Sequence, residues 1–329
     1  MMKKVIHILM ISMIMVGLVL VFAGPSTAKP IKFKAVAFLP VNMDDVKGFR
    51  LFIDMVNKKF AEHINIELIG GPEVTPPFQL HEAVRKGVID MCQTSSGYYP
   101  SLLWEAQSAM FTNTSYKERY KTDYYNVMSK LHENVGLIWL DSVNHNQSFH
   151  LYTNKKVKKL SDLTGMKIRV FPAFIPFIKA LGAVPINLPM GDIYTAMERG
   201  AVDGFVMTHF GFVKNFSWHE VTKYVIDYDL YRGTANLLVN PKKWNQLPAN
   251  IRQQIIEFKK TEVNAAAAEW FGNLYDERWQ MLLDSGVKAT RFSLGEGGEF
   301  LDLAYETAWD YVIQKSPDVA PKLKKMLVK

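Results

Sequence analysis

The stretch EAVRKGVIDM at residues 82–91 has a close copy, TAMERGAVDG, at residues 195–204. A glycine and, three residues later, an aspartate occupy the same places in both copies. Apolar residues recur at helical spacing before Gly87 and Gly200, and each glycine suits the left-handed end of a helix. The residues that follow favour a strand. The repeat therefore predicts the same helix-to-strand joint twice in one chain.

The segments around the two copies also match. Predicted strands at 31–40 and 64–71 precede the first copy, and predicted strands at 166–172 and 183–189 precede the second. Each set reads strand, helix, strand, helix, strand, which predicts a mostly parallel sheet flanked by helices. We therefore expect an α/β protein of two similar lobes, a clamshell. Ligands of such sheets bind beyond the carboxyl ends of the strands, here in the cleft between the lobes.

A long helical pattern follows Pro248 and runs to Gly286. A helix of that length is too long for one small lobe, so we expect it to lie across both. The alternative is two helices with a break near Gly272.

The amino terminus has the pattern of a secretory signal. Lys3 and Lys4 precede an apolar run that ends at Phe22, and small residues end at Ala28. This order of charged, apolar and small residues predicts a signal peptide over residues 1–28 and a periplasmic mature protein. The alternative is an uncleaved amino-terminal anchor.

Composition limits the classes of function. The 329-residue chain is 48% hydrophobic and 22% charged, which is ordinary for a globular protein. Its net charge of +7 comes from scattered basic residues, so nucleic acid is not an expected partner, whereas anionic ligands are compatible. Cys92 is the single cysteine, so no intrachain disulfide can form. We expect a buried thiol there, since a nucleophile would need a base that the local sequence lacks.

No enzyme motif is recognisable. The chain lacks a nucleophile elbow, a phosphate loop, a dinucleotide fingerprint and a paired-histidine zinc helix. We therefore expect no catalysis and no cofactor. The alternative is a periplasmic metal-dependent enzyme that uses Asp141, His145 and His150, although their spacing fits no regular site.

Arg169 is the sharpest candidate for a binding residue. It lies near the carboxyl end of the predicted strand MKIRVFP, where its side chain would point toward the cleft. An arginine there is costly unless its charge is paired, and its planar fork matches a carboxylate in charge and shape. The residues alone leave two interpretations open: a ligand carboxylate, or a structural ion pair with a protein carboxylate.

The segment DLTGMKIRVFPAFIPFIKALGAVPINLPMGDIYTAMERGAVDG, residues 162–204, strongly resembles the DctP-type solute-binding proteins of TRAP (tripartite ATP-independent periplasmic) transporters. GVIDM, NPKKWNQLP and the long helix extend the resemblance over essentially the whole mature chain. The resemblance implies a periplasmic-binding-protein clamshell that passes an organic acid to a membrane permease. It also implies that Arg169 binds the ligand carboxylate.

Some positions depart from the family pattern. Phe149 stands near a place where related binders often have a second arginine, and Met190 stands where an aromatic residue is common. After VDG, a run from Phe205 to His209 replaces polar residues that many members carry. One arginine satisfies one carboxylate, and the neighbouring positions have become apolar. We therefore expect a monocarboxylate with an apolar or aromatic body, such as an aryl acid or a branched 2-oxo acid.

Other candidates follow the carboxyl ends of predicted strands: Glu73, Gln93, Tyr98, Tyr99, Phe171, Met207, Thr208 and His209. Phe171 can stack on the ligand or belong to the core. Glu73 can bond a ligand hydroxyl or cap the nearby helix. His209 can donate to the ligand or stand in a solvated loop.

The pattern also predicts the domain division. We expect residues 29–147 plus 233–272 to form lobe I and residues 148–232 plus 273–329 to form lobe II, with a hinge where strands cross near Gln147 and Arg232. A monomer is expected. A ligand-sensing accessory protein of the same fold is an alternative to transport.

Overall fold

The computed structural model describes residues 29–144 and 147–328. The predicted signal peptide, residues 1–28, and the candidate ligand His145 therefore lie outside the described residues. Within the described part, the strands form two separate sheets, and helices cover them.

The first sheet has five strands in the order β2-β1-β3-β10-β4. Their bounds are β1 Ile31–Ala37, β2 Ile64–Gly70, β3 Met91–Thr94, β4 Ile138–Ser142 and β10 Asn236–Val239. β1 runs parallel to β2 and β3, whereas β10 runs antiparallel to β3 and β4.

The second sheet has six strands in the order β11-β9-β5-β8-β6-β7. Their bounds are β5 Phe149–Thr153, β6 Lys167–Val170, β7 Val184–Asn187, β8 Gly204–Thr208, β9 Tyr224–Ile226 and β11 Lys288–Thr290. β6 runs parallel to β7 and β8, β11 runs parallel to β9, and β5 runs antiparallel to β8 and β9.

The chain crosses between the sheets twice, and the two crossings lie side by side. One leads from β4 to β5 and the other from β9 to β10, and they pair where Ser148 meets Arg232. The Gly233 N–H donates to the Gln147 carbonyl at 2.8 Å. Each crossing delivers one antiparallel strand, β5 or β10, into the middle of the other sheet. Each sheet is therefore mixed, and the expected two-lobed α/β architecture with helices flanking each sheet is confirmed.

Helices flank the sheets. Their bounds are α1 Lys47–Lys59, α2 Leu80–Lys86, α3 Tyr116–Arg119, α4 Tyr124–Asn134, α5 Ile175–Ala180, α6 Ile193–Glu198, α7 Pro241–Trp244, α8 Ala249–Phe258, α9 Asn264–Asp284, α10 Leu294–Lys315 and α11 Ala320–Leu327. The apolar stripe of α1, with Phe49, Phe52 and Val56, is completely buried. No helix of the described residues is both long and apolar enough to cross a bilayer.

The repeated phrase forms the same joint in both sheets, as predicted. Gly87 and Gly200 end their helices with φ of +75° and +66°, a region that costs other residues free energy. The aspartate three residues later pairs twice with the neighbouring strand. The carboxylate of Asp90 accepts from Lys34 N–H at 2.8 Å, and the Asp90 N–H donates to the Lys34 carbonyl.

Asp203 makes the equivalent two bonds with Lys167, at 2.9 and 2.7 Å. Each aspartate therefore fixes the new strand beside the old one. Because of this, regular strand structure begins directly after the aspartate, at Met91 and Gly204, near the end of the segments at 88–91 and 201–205 that follow the two glycines.

The long helix is continuous from Ala249 to Asp284, as expected, and it does not break at Gly272. Its irregularity lies earlier, at Lys259–Val263, where one wider π-helical turn joins α8 to α9. This turn places the Lys259 ammonium under the end of β4, where it donates to the Ser142 carbonyl at 2.7 Å. The helix contacts both halves of the molecule, since Arg278 pairs with Asp44 and Trp279 packs on a histidine of β5.

Replacing the joint glycines tests the repeated turn. Gly87→Ala and Gly200→Ala should each lower the free energy of unfolding by about 1–2 kcal/mol, because alanine is strained at positive φ. The two effects should be similar, since the added methyl at Gly87 would lie at an ordinary contact distance of 3.4 Å from Asn240 and Gly200 faces open space.

The measurement is urea unfolding followed by circular dichroism. Gly298→Ala is the matched control, because this glycine lies in α10 with no positive φ and no close neighbour. Alanine there should stabilise the protein, since it favours a helix more than glycine does. Equal effects of all three changes would contradict the assigned role of the joint.

Candidate ligand-binding site

A narrow cavity lies between the two sheets, beside the crossing strands. Its volume is about 30 Å³. One wall comes from the half that holds the first sheet and from the crossing segments: Phe38, Leu39, Asp45, Ser95, Asn144, Gln147, Gly233 and Thr234. The other wall comes from the half that holds the second sheet: Phe149, Phe171, Met190, Met207 and Thr208. The cavity therefore has one wall from each half, at the carboxyl ends of β1, β3, β6 and β8.

Arg169, the third residue of β6, is completely buried next to this cavity. Its Nε donates to the Leu188 carbonyl at 2.9 Å, and its Nη1 donates to the sulfur of Met207 at 3.2 Å. Its Nη2 has no hydrogen-bond partner, and Arg169 makes no ion pair with any Asp or Glu of the described residues. The described residues thus place no carboxylate in contact with Arg169 for the structural ion pair that the sequence left open, and Asp192 acts on it only from a distance.

Aromatic rings surround the guanidinium. The Arg169 guanidinium carbon lies 4.4 Å from the centre of the Phe171 ring, within the range of a cation–π contact. Tyr98 packs edge-on against Phe171 at 5.2 Å and lies close to the arginine. Burial lowers the pKa of Arg169 to about 10, and the Tyr98 hydroxyl, which lies within hydrogen-bonding reach of the guanidinium, and the Asp192 carboxylate oppose that shift. At neutral pH the side chain still carries its charge.

The apolar wall consists of the residues that depart from the family pattern. Phe149 is paired with Thr208 across β5 and β8, and its ring packs edge-on against Phe171 at 6.2 Å. Met190 opens the short 3-10 helix Met190–Asp192 and is buried. Phe149, Phe171, Met190, Met207 and Thr208, all predicted as ligand-binding residues, therefore line one cavity beside Arg169.

Several other candidates, among them Glu73 and Tyr99, do not line the cavity. Glu73 is exposed, and its carboxylate accepts from the Gly71 N–H at 2.7 Å, which lowers its pKa. It fixes a turn and neither faces the cavity nor caps the helix. The Tyr99 hydroxyl is buried against Asn236 and His132. Tyr99 therefore belongs to the interior of the first half.

His209 is buried rather than solvated or directed at a ligand. Its Nε2 lies 3.2 Å from the Tyr275 carbonyl of α9, and its ring packs against Trp279. Burial, together with the neighbouring His150, lowers the pKa of His209 to about 3. Because the long helix covers this position, His209 contributes to the packing of that helix.

Gln93 does not line the cavity itself. Its side chain donates to the main-chain carbonyl of Asp45, which does, at 2.9 Å. Asp45 itself was missed by the sequence reasoning, as were Phe38 and Leu39. The rule that ligands bind beyond the carboxyl ends of strands could have found Phe38 and Leu39, because they directly follow β1. No local motif identifies Asp45.

The candidate metal group is not assembled by the described residues. The Asp141 carboxylate pairs with Lys259 at 3.2 Å and accepts from the Tyr120 hydroxyl. His150 packs against Trp279, and burial lowers its pKa to about 4. The residues that the structure describes contain no group of three or more His, Cys, Asp and Glu placed to hold a metal.

Cys92 lies inside β3, and burial raises the pKa of its thiol. Its thiolate is therefore disfavoured, which agrees with the expected buried thiol. A wider, open groove adjoins the cavity and shares Asn144, Gly233 and Thr234 with it. That groove contains both arginines and carboxylates, so it offers no isolated positive charge to an anion.

Comparison with known proteins places this arrangement in a family. Residues 38–311 match the family described as bacterial extracellular solute-binding protein, family 7. A monocarboxylate 2-oxoacid-binding periplasmic protein of Nostoc sp. is 26% identical over 256 residues, which cover 73% of this chain and 69% of that protein.

Solved structures share the fold. A TRAP periplasmic solute-binding protein from Desulfovibrio salexigens, with bound orotic acid, has a TM-score of 0.81 at 17% identity and covers 90% of this chain and 97% of its own. An extracytoplasmic solute receptor from Bordetella pertussis that binds pyroglutamic acid has a TM-score of 0.79 at 16% identity, over 90% and 98%. Since the family match spans more than half of the chain, this protein belongs to bacterial extracellular solute-binding protein family 7, the DctP family.

Proposed function

We propose that this protein is the periplasmic solute-binding component of a TRAP transporter and that it captures a small organic acid, without catalysis of its own. One observation carries the proposal. Arg169 is fully buried and charged, has no protein carboxylate as a partner, and keeps Nη2 without a hydrogen bond beside a cavity. A ligand carboxylate would complete this site.

Physical chemistry favours a carboxylate there. A buried charge without a partner costs several kcal/mol, and a buried donor without an acceptor adds to that cost. A carboxylate supplies the opposite charge and two acceptors in the plane of the guanidinium fork. Phe171 and Met207 hold the fork from its other sides, so the ligand would meet an arginine already in position.

The walls favour a single carboxylate. Arg169 is the only arginine or lysine among the described residues that we assign to this site, and the residues around it are mainly aromatic or thioether. A second buried carboxylate would lack a cationic partner. Orotic acid and pyroglutamic acid, named for two structures of similar fold, each have one carboxyl group, and the Nostoc relative is named for monocarboxylate 2-oxoacids. We infer a monocarboxylate with a partly apolar body.

The position of the cavity suggests that a bound ligand would close the two lobes on each other. Its walls come from two halves that are joined by the crossing strands at Gln147–Phe149 and Tyr231–Gly233 and by the long helix. A ligand that touches both walls would stabilise the closed arrangement of lobe I (29–147 plus 233–272) and lobe II (148–232 plus 273–329). A TRAP permease would recognise that closed monomer.

Removing the Arg169 charge tests the proposal. Arg169→Met should weaken binding of an organic acid by about 100-fold, which corresponds to about 2.7 kcal/mol. Without ligand, the variant should be at least as stable as the wild type, because a buried unpaired charge has been removed. Arg169→Lys should also bind weakly, since lysine keeps the charge and loses the planar fork. Isothermal titration and thermal unfolding measure the two effects.

The control is Arg199→Met, which removes an exposed arginine that follows α6 and should change neither quantity. A large loss of stability in ligand-free Arg169→Met, with unchanged binding, would show that Arg169 is structural.

A ligand screen tests the walls of the site. Mature protein, residues 29–329, should be stabilised by single-carboxylate acids with aromatic, heterocyclic or branched bodies, and not by dicarboxylates or sugar acids. A ligand at 100 times its Kd adds about 2.7 kcal/mol to the free energy of unfolding, a readable thermal shift. A response restricted to dicarboxylates would contradict the assignment of Phe149, Met190 and Met207 as apolar walls, while leaving the family unchanged.

A further inference from the structure

A second ionisable side chain borders the cavity, on the wall opposite to Arg169. Asp45 lies in the short 3-10 helix Asp44–Val46 between β1 and α1, and it is 9% exposed. It lines the same cavity as Phe171 and Met207, the two residues that contact the Arg169 guanidinium. The cavity thus has a cationic group adjoining one wall and a carboxyl group in the other.

Three side chains hold Asp45 in place. Gln93 and Asn144 donate to its main-chain carbonyl at 2.9 and 3.0 Å, and Gln147 donates to its Oδ1 at 3.2 Å. Asn144 also donates to Gln147, so the network joins the loop after β1 to the crossing strand. Asp45 makes no ion pair in the described structure, although its neighbour Asp44 pairs with Arg278 of α9 at 2.7 Å.

We propose that Asp45 determines specificity in this site by accepting a hydrogen bond from a hydroxyl or amide N–H on the ligand, at the end away from the carboxylate that Arg169 binds. The inference rests on the proposed function, since it requires that an organic acid occupies the cavity. It narrows the ligand to an acid with a donor group. Such a ligand would bond to one residue from each half of the molecule.

The electrostatic surroundings explain why a donor is required. Burial, reinforced by the adjacent Asp44, raises the pKa of Asp45 to about 7. Asp44 is the charged group that acts on Asp45, and Arg278 pairs with Asp44 rather than with Asp45. Gln147 and the backbone N–H of Asp45 itself donate to the carboxylate, and a further donor from a ligand would stabilise its ionised form more.

Matched ligand pairs test the inference. Each pair compares an acid that has a hydrogen-bond donor with one that lacks it: pyroglutamate against cyclopentanecarboxylate, and 4-hydroxybenzoate against benzoate. A further probe, 3-methyl-2-oxobutanoate, has an acceptor and no hydroxyl or N–H donor. Isothermal titration with the wild type should give at least tenfold tighter binding for the donor member of a pair. In Asp45→Ala the two members should bind equally.

The pH dependence should follow the ionisation of Asp45. For the tighter donor ligand, affinity should fall about tenfold between pH 8 and pH 6, because Asp45 must lose its proton to accept the bond. In Asp45→Asn the affinity should be constant over this range. Asp54→Asn removes an exposed acid of α1 and should retain the wild-type dependence.

The outcomes separate the two proposals. If no acid binds, or if acids bind equally well to the wild type and to Arg169→Met, the proposed function is wrong. If acids bind through Arg169 but the members of each pair bind equally, the assignment of Asp45 is wrong and the proposed function stands. Tighter binding of the 2-oxo acid at lower pH would show that Asp45 donates as a neutral acid, which also overturns the inference.

Stability provides a readout that needs no ligand. A carboxyl whose pKa is raised by folding holds its proton longer in the folded state, so wild-type stability should fall as pH rises from about 4 to about 7. Asp45→Asn should therefore raise the Tm by several degrees at pH 7.5 and by much less at pH 4.5. Asp54→Asn should show no such pH-dependent gain, and an equal gain in both variants would contradict a specific effect at Asp45.

Discussion

The constraint that organises this molecule is a positive charge buried without an anion. Arg169 is held by a carbonyl, a thioether sulfur and an aromatic face, and none of these neutralises it. Each partner comes from a different element: the loop after β7, strand β8 and the residue after β6. The second half of the fold thus keeps the guanidinium oriented and desolvated, with its Nη2 buried and without a hydrogen bond.

The first half of the molecule contributes a buried carboxyl group that is also incompletely satisfied. Asp45 is a nearly buried carboxyl that Gln147 satisfies only in part, and its amide neighbours fix the backbone rather than the charge. Both groups are unfavourable in the free protein, so a molecule that pairs with them would recover that free energy on binding. Binding sites commonly reduce stability in this way, because groups satisfied internally are unavailable to a ligand.

The repeated phrase was sufficient to predict two similar lobes, since a positive-φ glycine followed by an apolar strand is local chemistry. The long helix and the aromatic and thioether wall were also predictable, because they depend on strand ends and helical periodicity. Residues whose roles depend on partners far along the chain were not. Asp45 owes its environment to Gln93, Asn144 and Gln147, and His209 is buried because Tyr275 and Trp279 of the long helix cover it.

The π-helical turn at Lys259–Val263 sets the rotational phase of the long helix. Buried residues there recur every four positions, at Ile255, Lys259, Val263, Ala267 and Phe271. In a regular α-helix each step of four turns the stripe by about 40°, and the wider turn corrects part of that rotation. Loss of one residue in this turn would rotate α9 by about 100°. Arg278 would then leave Asp44, and Trp279 would leave His150. The number of residues in this one turn thus decides whether one helix fits both halves.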